Sequence, residues 1–180
     1  MEEKKNTWKL GEKVSFPFTS SDFKKSGSFY KTFYKHFYSS RFICIREETD
    51  EQPGILLKVL GRTSPKDIII VGGEPFCKDE KEEMISGRTY SSYRFPTIKQ
   101  VSEVVEILRE NRWLKDLLEN SEMHINLQAY FWVRNVAGGF LFGKKPRYFD
   151  PESETLYTVS DKTPHYRLAV VYFHKGELTF

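Results

Sequence analysis

The residues from which chemistry could be built are few: four histidines, two cysteines and some short runs of carboxylates. His36, His124, His165 and His174 are scattered, with no HExxH helix pair and no two at metal-ligand spacing. Cys44 and Cys77 are too few for a disulfide framework or a four-ligand zinc site. A Cys-dependent hydrolase would need Cys44 or Cys77 activated by His165, since such groups assemble in space rather than along the chain. With these counts some Cys–His pairing is always available, and Cys44, set among alternating apolar residues, reads as a buried free thiol. Asp150-Pro151-Glu152 with Glu154 offers oxygens to calcium but lacks an EF-hand loop, and reads as a solvated acidic turn. No GxSxG, Walker A or GxGxxG pattern occurs, so Gly72-Gly73 and Gly138-Gly139 are read as turn glycines. No catalytic residue, metal ligand or cofactor is assigned.

A different chemistry, stacking beside positive charge, is offered by the stretch from 23 to 46. It carries Lys24, Lys25, Lys31, Lys35, Arg41 and Arg46 with no acid between Asp22 and Glu47. Within it, residues 29–38 place aromatics at 29, 33 and 37 and at 30, 34 and 38. A spacing of four would scatter these rings over both faces of a strand but merges them into one stripe on a helix. Lys24, Lys25, Lys31, Lys35 and Arg41, with Tyr30, Tyr34 and Tyr38, are the candidate binding residues. They suit a single-stranded nucleic acid or an acidic polysaccharide. The competing reading packs the aromatic stripe against a sheet and leaves Lys31 and Lys35 on the wet side. The two divide on the exposure of the three tyrosines.

These groups must be held by a chain of 180 residues, with 39% hydrophobic and 29% charged positions. That is ordinary globular composition, long enough for one domain spanning residues 1–180 to bury a core without staples. A net charge of +3 falls short of the basic stripe of a dedicated nucleic-acid binder. Aromatics are abundant at 16%. No apolar run approaches the ~20 residues of a membrane span. The first residues lack the apolar region of a signal peptide. The expectation is cytoplasmic if Met1 is the native start, and cell-surface or secreted if an export signal was removed.

Residues 1–28 read as a loop-rich opening, followed by the helix at 29–38. Strands are expected at Arg41–Arg46, Ile55–Leu60 and Asp67–Val71, with Gly72-Gly73 closing the last. Phe76–Tyr93 reads as loop with a short helix. Pro96 and Thr97 then open a helix, Thr97 and Gln100 form a capping box, and Ile98, Val101, Val105 and Leu108 give the apolar stripe. A second helix carries Trp113, Leu114, Leu117 and Leu118. Strands resume at Gln128–Asn135, Phe140–Phe142, Thr155–Val159, Tyr166–Phe173 and Glu177–Phe180, the last two joined by His174-Lys175-Gly176. Strands, helices, then strands imply an α+β fold with a mainly antiparallel sheet and two or three helices.

Tyr93-Arg94-Phe95-Pro96-Thr97 before a capped helix resembles the "WRLPT" corner of bacterial C-type-lectin-like domains, of the Lcl C-terminal and formylglycine-generating-enzyme-like group. The following parts keep the same order: a helix, a polar stretch, the aromatic strand Ala129–Arg134, and a closing strand Tyr166–Val171 with its arginine. The resemblance covers roughly residues 90–173 and implies a C-type-lectin-like fold with a binding role. The serines common after the aromatic strand are replaced by Asn135 and Val136, and the calcium-ligand triplets are missing. Both cysteines precede the motif, so neither calcium-dependent sugar binding nor oxidation carries over.

The reading that follows is a non-enzymatic binding module, recognising polysaccharide or a protein partner at a bacterial cell surface. The alternatives are a cytoplasmic nucleic-acid-associated protein using residues 23–46, and the Cys-dependent hydrolase.

Overall fold

Runs of β-branched and aromatic residues supply enough strand-forming sequence for a wide sheet. The computed structural model describes residues 6–14, 42–77, 84–85, 88–89, 94–119, 126–138 and 143–179. They contain β1 (Lys13–Val14), β2 (Phe42–Arg46), β3 (Gly54–Thr63), β4 (Ile68–Val71) and β5 (Glu74–Cys77). Next come β6 (Met84–Ile85), β7 (Arg88–Thr89), and the helices α1 (Ile98–Glu110) and α2 (Arg112–Glu119). Last are β8 (Phe131–Ala137), β9 (Lys145–Asp150), β10 (Thr155–Thr158), β11 (His165–His174) and β12 (Glu177–Thr179). The fold is α+β with a mostly antiparallel sheet, as the element order implies. Among the described residues no helix is long and apolar enough to cross a membrane.

The main sheet runs β1-β2-β3-β11-β8-β9-β10, with β12 also beside β11. β3 and β11 form its spine, paired from His165 opposite Thr63 to Phe173 opposite Gly54. Gly54 must be glycine, because a Cβ there would lie 2.1 Å from the Phe173 ring. β8 joins β11 in parallel, at Tyr166 opposite Phe131.

Both faces of the spine are covered, so its strands read as continuous apolar runs rather than as an alternation. On one face, Val101, Val104, Val105 and Leu108 of α1 with Leu114 and Leu118 of α2 pack on Leu57, Phe131, Leu168 and Val170. On the second face, Leu56, Ala169, Val171 and Phe173 meet Trp8, Phe42 and Phe76. Beside them Ile68 and Cys77, from the β4–β5 hairpin, pack with Phe95 and Trp132.

The capping box forms as its residues require. Thr97 Oγ1 accepts from the Gln100 amide at 3.2 Å, and Gln100 Oε1 from the Thr97 amide at 2.9 Å. The corner before it is tied on two sides. The Arg134 amide and Nε donate to the carbonyls of Pro96 (2.7 Å) and Phe95 (2.8 Å), while Arg94 pairs with buried Glu74 of β5. The stripe includes Val104, and Ile98 is only partly buried. Trp113 of α2 is 48% exposed, because Leu114 and Leu118, four apart, take the inward positions. A further tie crosses the first face: Tyr172 Oη donates to Glu103 Oε2 at 3.1 Å, and Arg46 Nη1 reaches the same oxygen at 3.4 Å. Burial, first, and then the Glu103 carboxylate push the Tyr172 phenol up.

Several expectations need correction. Gly72-Gly73 closes β4 as expected and also reverses the chain into a further strand: both have positive φ (61° and 81°), and Val71 pairs with Glu74 across the turn. The strand after the turn, β5, was not expected; its Pro75 lies in a two-stranded sheet, where a missing N–H costs little. The short pair β6–β7 stands where loop and helix were expected. β9 was not anticipated at all. The expected strand Phe140–Phe142 and the helix at 29–38 lie outside the described residues.

Candidate functional site

Strand alternation and register together build an aromatic row on the second face. Trp132 of β8, Tyr148 of β9 and Tyr157 of β10 are direct cross-strand partners, so their side chains share one face. Tyr130 lies two residues before Trp132, and its carbonyl accepts from the Tyr166 amide at 3.1 Å. The turn between β9 and β10 sets the register. Asp150 accepts from the Glu152 amide (3.0 Å) and the Ser153 hydroxyl (2.7 Å), and Glu154 takes a positive φ of 55°. The acidic stretch is thus an exposed, self-bonded turn, and among the described residues no group of three or more His, Cys, Asp or Glu could hold a metal.

The rings touch one another. Tyr148 and Tyr157 stack with centroids 5.3 Å apart and planes 17° apart, and Tyr130 lies 5.6 Å from Tyr148 and 5.8 Å from Tyr157. Trp132 meets Tyr148 edge-on at 5.7 Å, and its Nε1 donates to the Thr63 carbonyl at 2.9 Å. Exposure is graded along the row. Trp132 is fully buried, whereas Tyr130 and Tyr157 are 39% and 37% exposed. The result is a rigid tyrosine platform, open at one end and anchored at the other by a buried indole.

His165 closes the inner end. It stacks on Tyr148 at 4.0 Å and meets Trp132 edge-on at 4.9 Å, and its Nε2 is buried with no hydrogen-bond partner. Burial holds its pKa below the ordinary histidine value of 6.5; Asp161 opposes that shift, and Arg62 reinforces it. The Tyr148 phenol is raised by burial, then by Asp161, Tyr130 and Tyr157. Asp161, which accepts from the Thr163 amide at 2.9 Å, thus stands within electrostatic reach of both rings.

A pH dependence follows from the neutral imidazole. Between the lowered folded pKa and the unfolded value near 6.5, the unfolded chain binds the extra proton. Stability should therefore fall as pH drops below about 6.5, and level off once the folded imidazole is also charged. Thermal melts of wild type and His165→Gln across that window isolate the effect. Equal pH slopes in the two proteins would show that His165 contributes nothing.

The residues singled out from sequence fare differently. Lys24, Lys25, Tyr30, Lys31, Tyr34, Lys35, Tyr38 and Arg41, with His36 and His124, lie outside the described residues. Cys44 and Cys77 are buried, and neither is in a disulfide. Burial pushes the Cys44 thiol up to about 12, so it holds its proton at neutral pH and offers no thiolate. Cys77 Sγ lies 4.0 Å from Thr63 Oγ1. His174 is engaged at the surface, its Nε2 3.0 Å from the Thr49 carbonyl.

The platform itself escaped the sequence reading, because β9 was missed. The signal was present: a reversal centred on Glu152-Ser153 places Tyr148 and Tyr157 at equal distance on either side. Comparison of the chain with protein-family models, curated proteins and solved structures found no match.

Proposed function

We propose that the chain is a non-enzymatic binding module of C-type-lectin-like kind, whose tyrosine platform receives a polysaccharide at a bacterial cell surface. The observation that carries this reading is the stack of Tyr148 and Tyr157 with Tyr130 beside it, two of the three rings being exposed. Aromatic faces accept the C–H face of a sugar ring, while phenol hydroxyls and the nearby Asp161 carboxylate suit its hydroxyl groups. A row already stacked loses little side-chain freedom on binding. The C-type-lectin-like part is supported by the Arg94–Thr97 corner, whose cap is complete and whose backbone is bonded to the aromatic strand β8.

The test is calorimetric titration with a neutral glucan and a heparin-like polysaccharide, on wild type and Tyr130→Ala/Tyr157→Ala. Each aromatic contact is worth about 0.5–1.5 kcal/mol, so the double variant should bind roughly 5- to 150-fold more weakly. Both side chains are exposed, so its circular dichroism should match wild type. Unchanged affinity in the folded variant, or no binding of either polymer, would sink the proposal. Binding that collapses with salt and with Lys31→Glu/Lys35→Glu would move the site to the basic stretch.

A further inference from the structure

β11 carries a charge into the interior. His165, Arg167, Ala169 and Val171 alternate onto the second face, where Ala169 and Val171 belong to the apolar cluster. Arg167 is only 8% exposed, and both its Nε and Nη1 are buried with no hydrogen-bond partner. Two residues along the same face, His165 is 7% exposed with its Nε2 likewise unsatisfied.

A guanidinium cannot shed its proton, so burial without a partner costs several kcal/mol unless an anion compensates it. No described carboxylate does so. Glu74, the buried acid of this face, is already paired with Arg94. Lys58, the cross-strand partner of Ala169, adds another cation to the same side of the sheet. His165 stays neutral at neutral pH and adds a dipole instead of a second positive charge.

The backbone supports the same placement. Tyr166 pairs with Arg62 and Leu168 with Val59, so Leu60 and Gly61 together oppose Arg167. Gly61 takes a φ of 87°, and such a bulge re-aims the side chains at its level. The bulge stands at the one position of this strand that holds a buried cation.

We propose that Arg167 anchors a binding site for a small oxyanion, bearing phosphate or carboxylate oxygens, on the second face of the sheet. This site is separate from the tyrosine platform. The guanidinium supplies charge-assisted donors, and entry is through the small part of Arg167 left open to solvent.

The test is thermal unfolding in sodium phosphate, sodium acetate and sodium chloride at matched ionic strength, on wild type and Arg167→Met. Wild type should gain a saturable rise in Tm in phosphate or in acetate over chloride, and the responding salt names the class of anion. Arg167→Met removes the uncompensated charge, so it should fold at least as well in chloride and lose the oxyanion response. An equal response to all salts, an equal response in the variant, or none in wild type would overturn the site. So would a crystal structure in phosphate with Arg167 capped by one of the chain's own carboxylates.

Discussion

A carboxylate placed at Val105 is expected to leave the domain without a cooperative unfolding transition. Val105 is buried in the middle of α1, and its cluster joins both helices to β2, β3, β8 and β11. An aspartate there would set its carboxylate against the apolar side chains that join the helix to the sheet. An unpaired buried charge of this kind costs more than about 4 kcal/mol, against a total stability of about 5–15 kcal/mol for a typical domain. Glu106, the next residue, is exposed, and Glu106→Ala should change stability by less than about 0.5 kcal/mol. Far-ultraviolet circular dichroism during heating compares the two. If Val105→Asp melts within a few degrees of Glu106→Ala, α1 does not present Val105 to the core.

The contrast between α1 and the tyrosine platform shows what the sequence could disclose. Everything that defines α1 is local: Thr97 and Gln100 sit three apart, and the stripe repeats within one element. β5 and β9 were hidden because Pro75 and Pro146 break the apolar alternation that marks a strand, while the turns before or after them carry the real signal. Tyr148 and Tyr157 become neighbours only once β9 and β10 are both in place, and His165 joins them from a third strand. Arg167 was visible in the closing strand, yet its burial was not. An arginine in a strand ordinarily marks a wet face, and only the second layer of packing makes this one interior. The basic residues from Lys24 to Arg41 were legible as a charge pattern and lie outside the described residues.

Trp132 is where packing and the candidate site depend on one side chain, and Trp132→Ala is expected to cost about 3–5 kcal/mol. The indole is fully buried among Ile68, Cys77 and Phe95, and Tyr148 and His165 rest against it. Its Nε1 also satisfies the Thr63 carbonyl at 2.9 Å. Trp132→Phe separates these roles. Phenylalanine keeps much of the apolar contact but loses the indole hydrogen bond to the Thr63 carbonyl, for a cost of about 0.5–1.5 kcal/mol. Stability by urea denaturation should therefore fall in the order wild type, Trp132→Phe, Trp132→Ala. Polysaccharide titration of the folded variants then asks whether the platform needs its anchor. Removing the indole takes away the edge contact that holds Tyr148 against Tyr157, so affinity should fall although Trp132 itself cannot touch a ligand. An alanine variant as stable as wild type would refute the packing of β8 against the hairpin. A destabilised variant that still binds at full affinity would show that the tyrosines hold their stack without support from below.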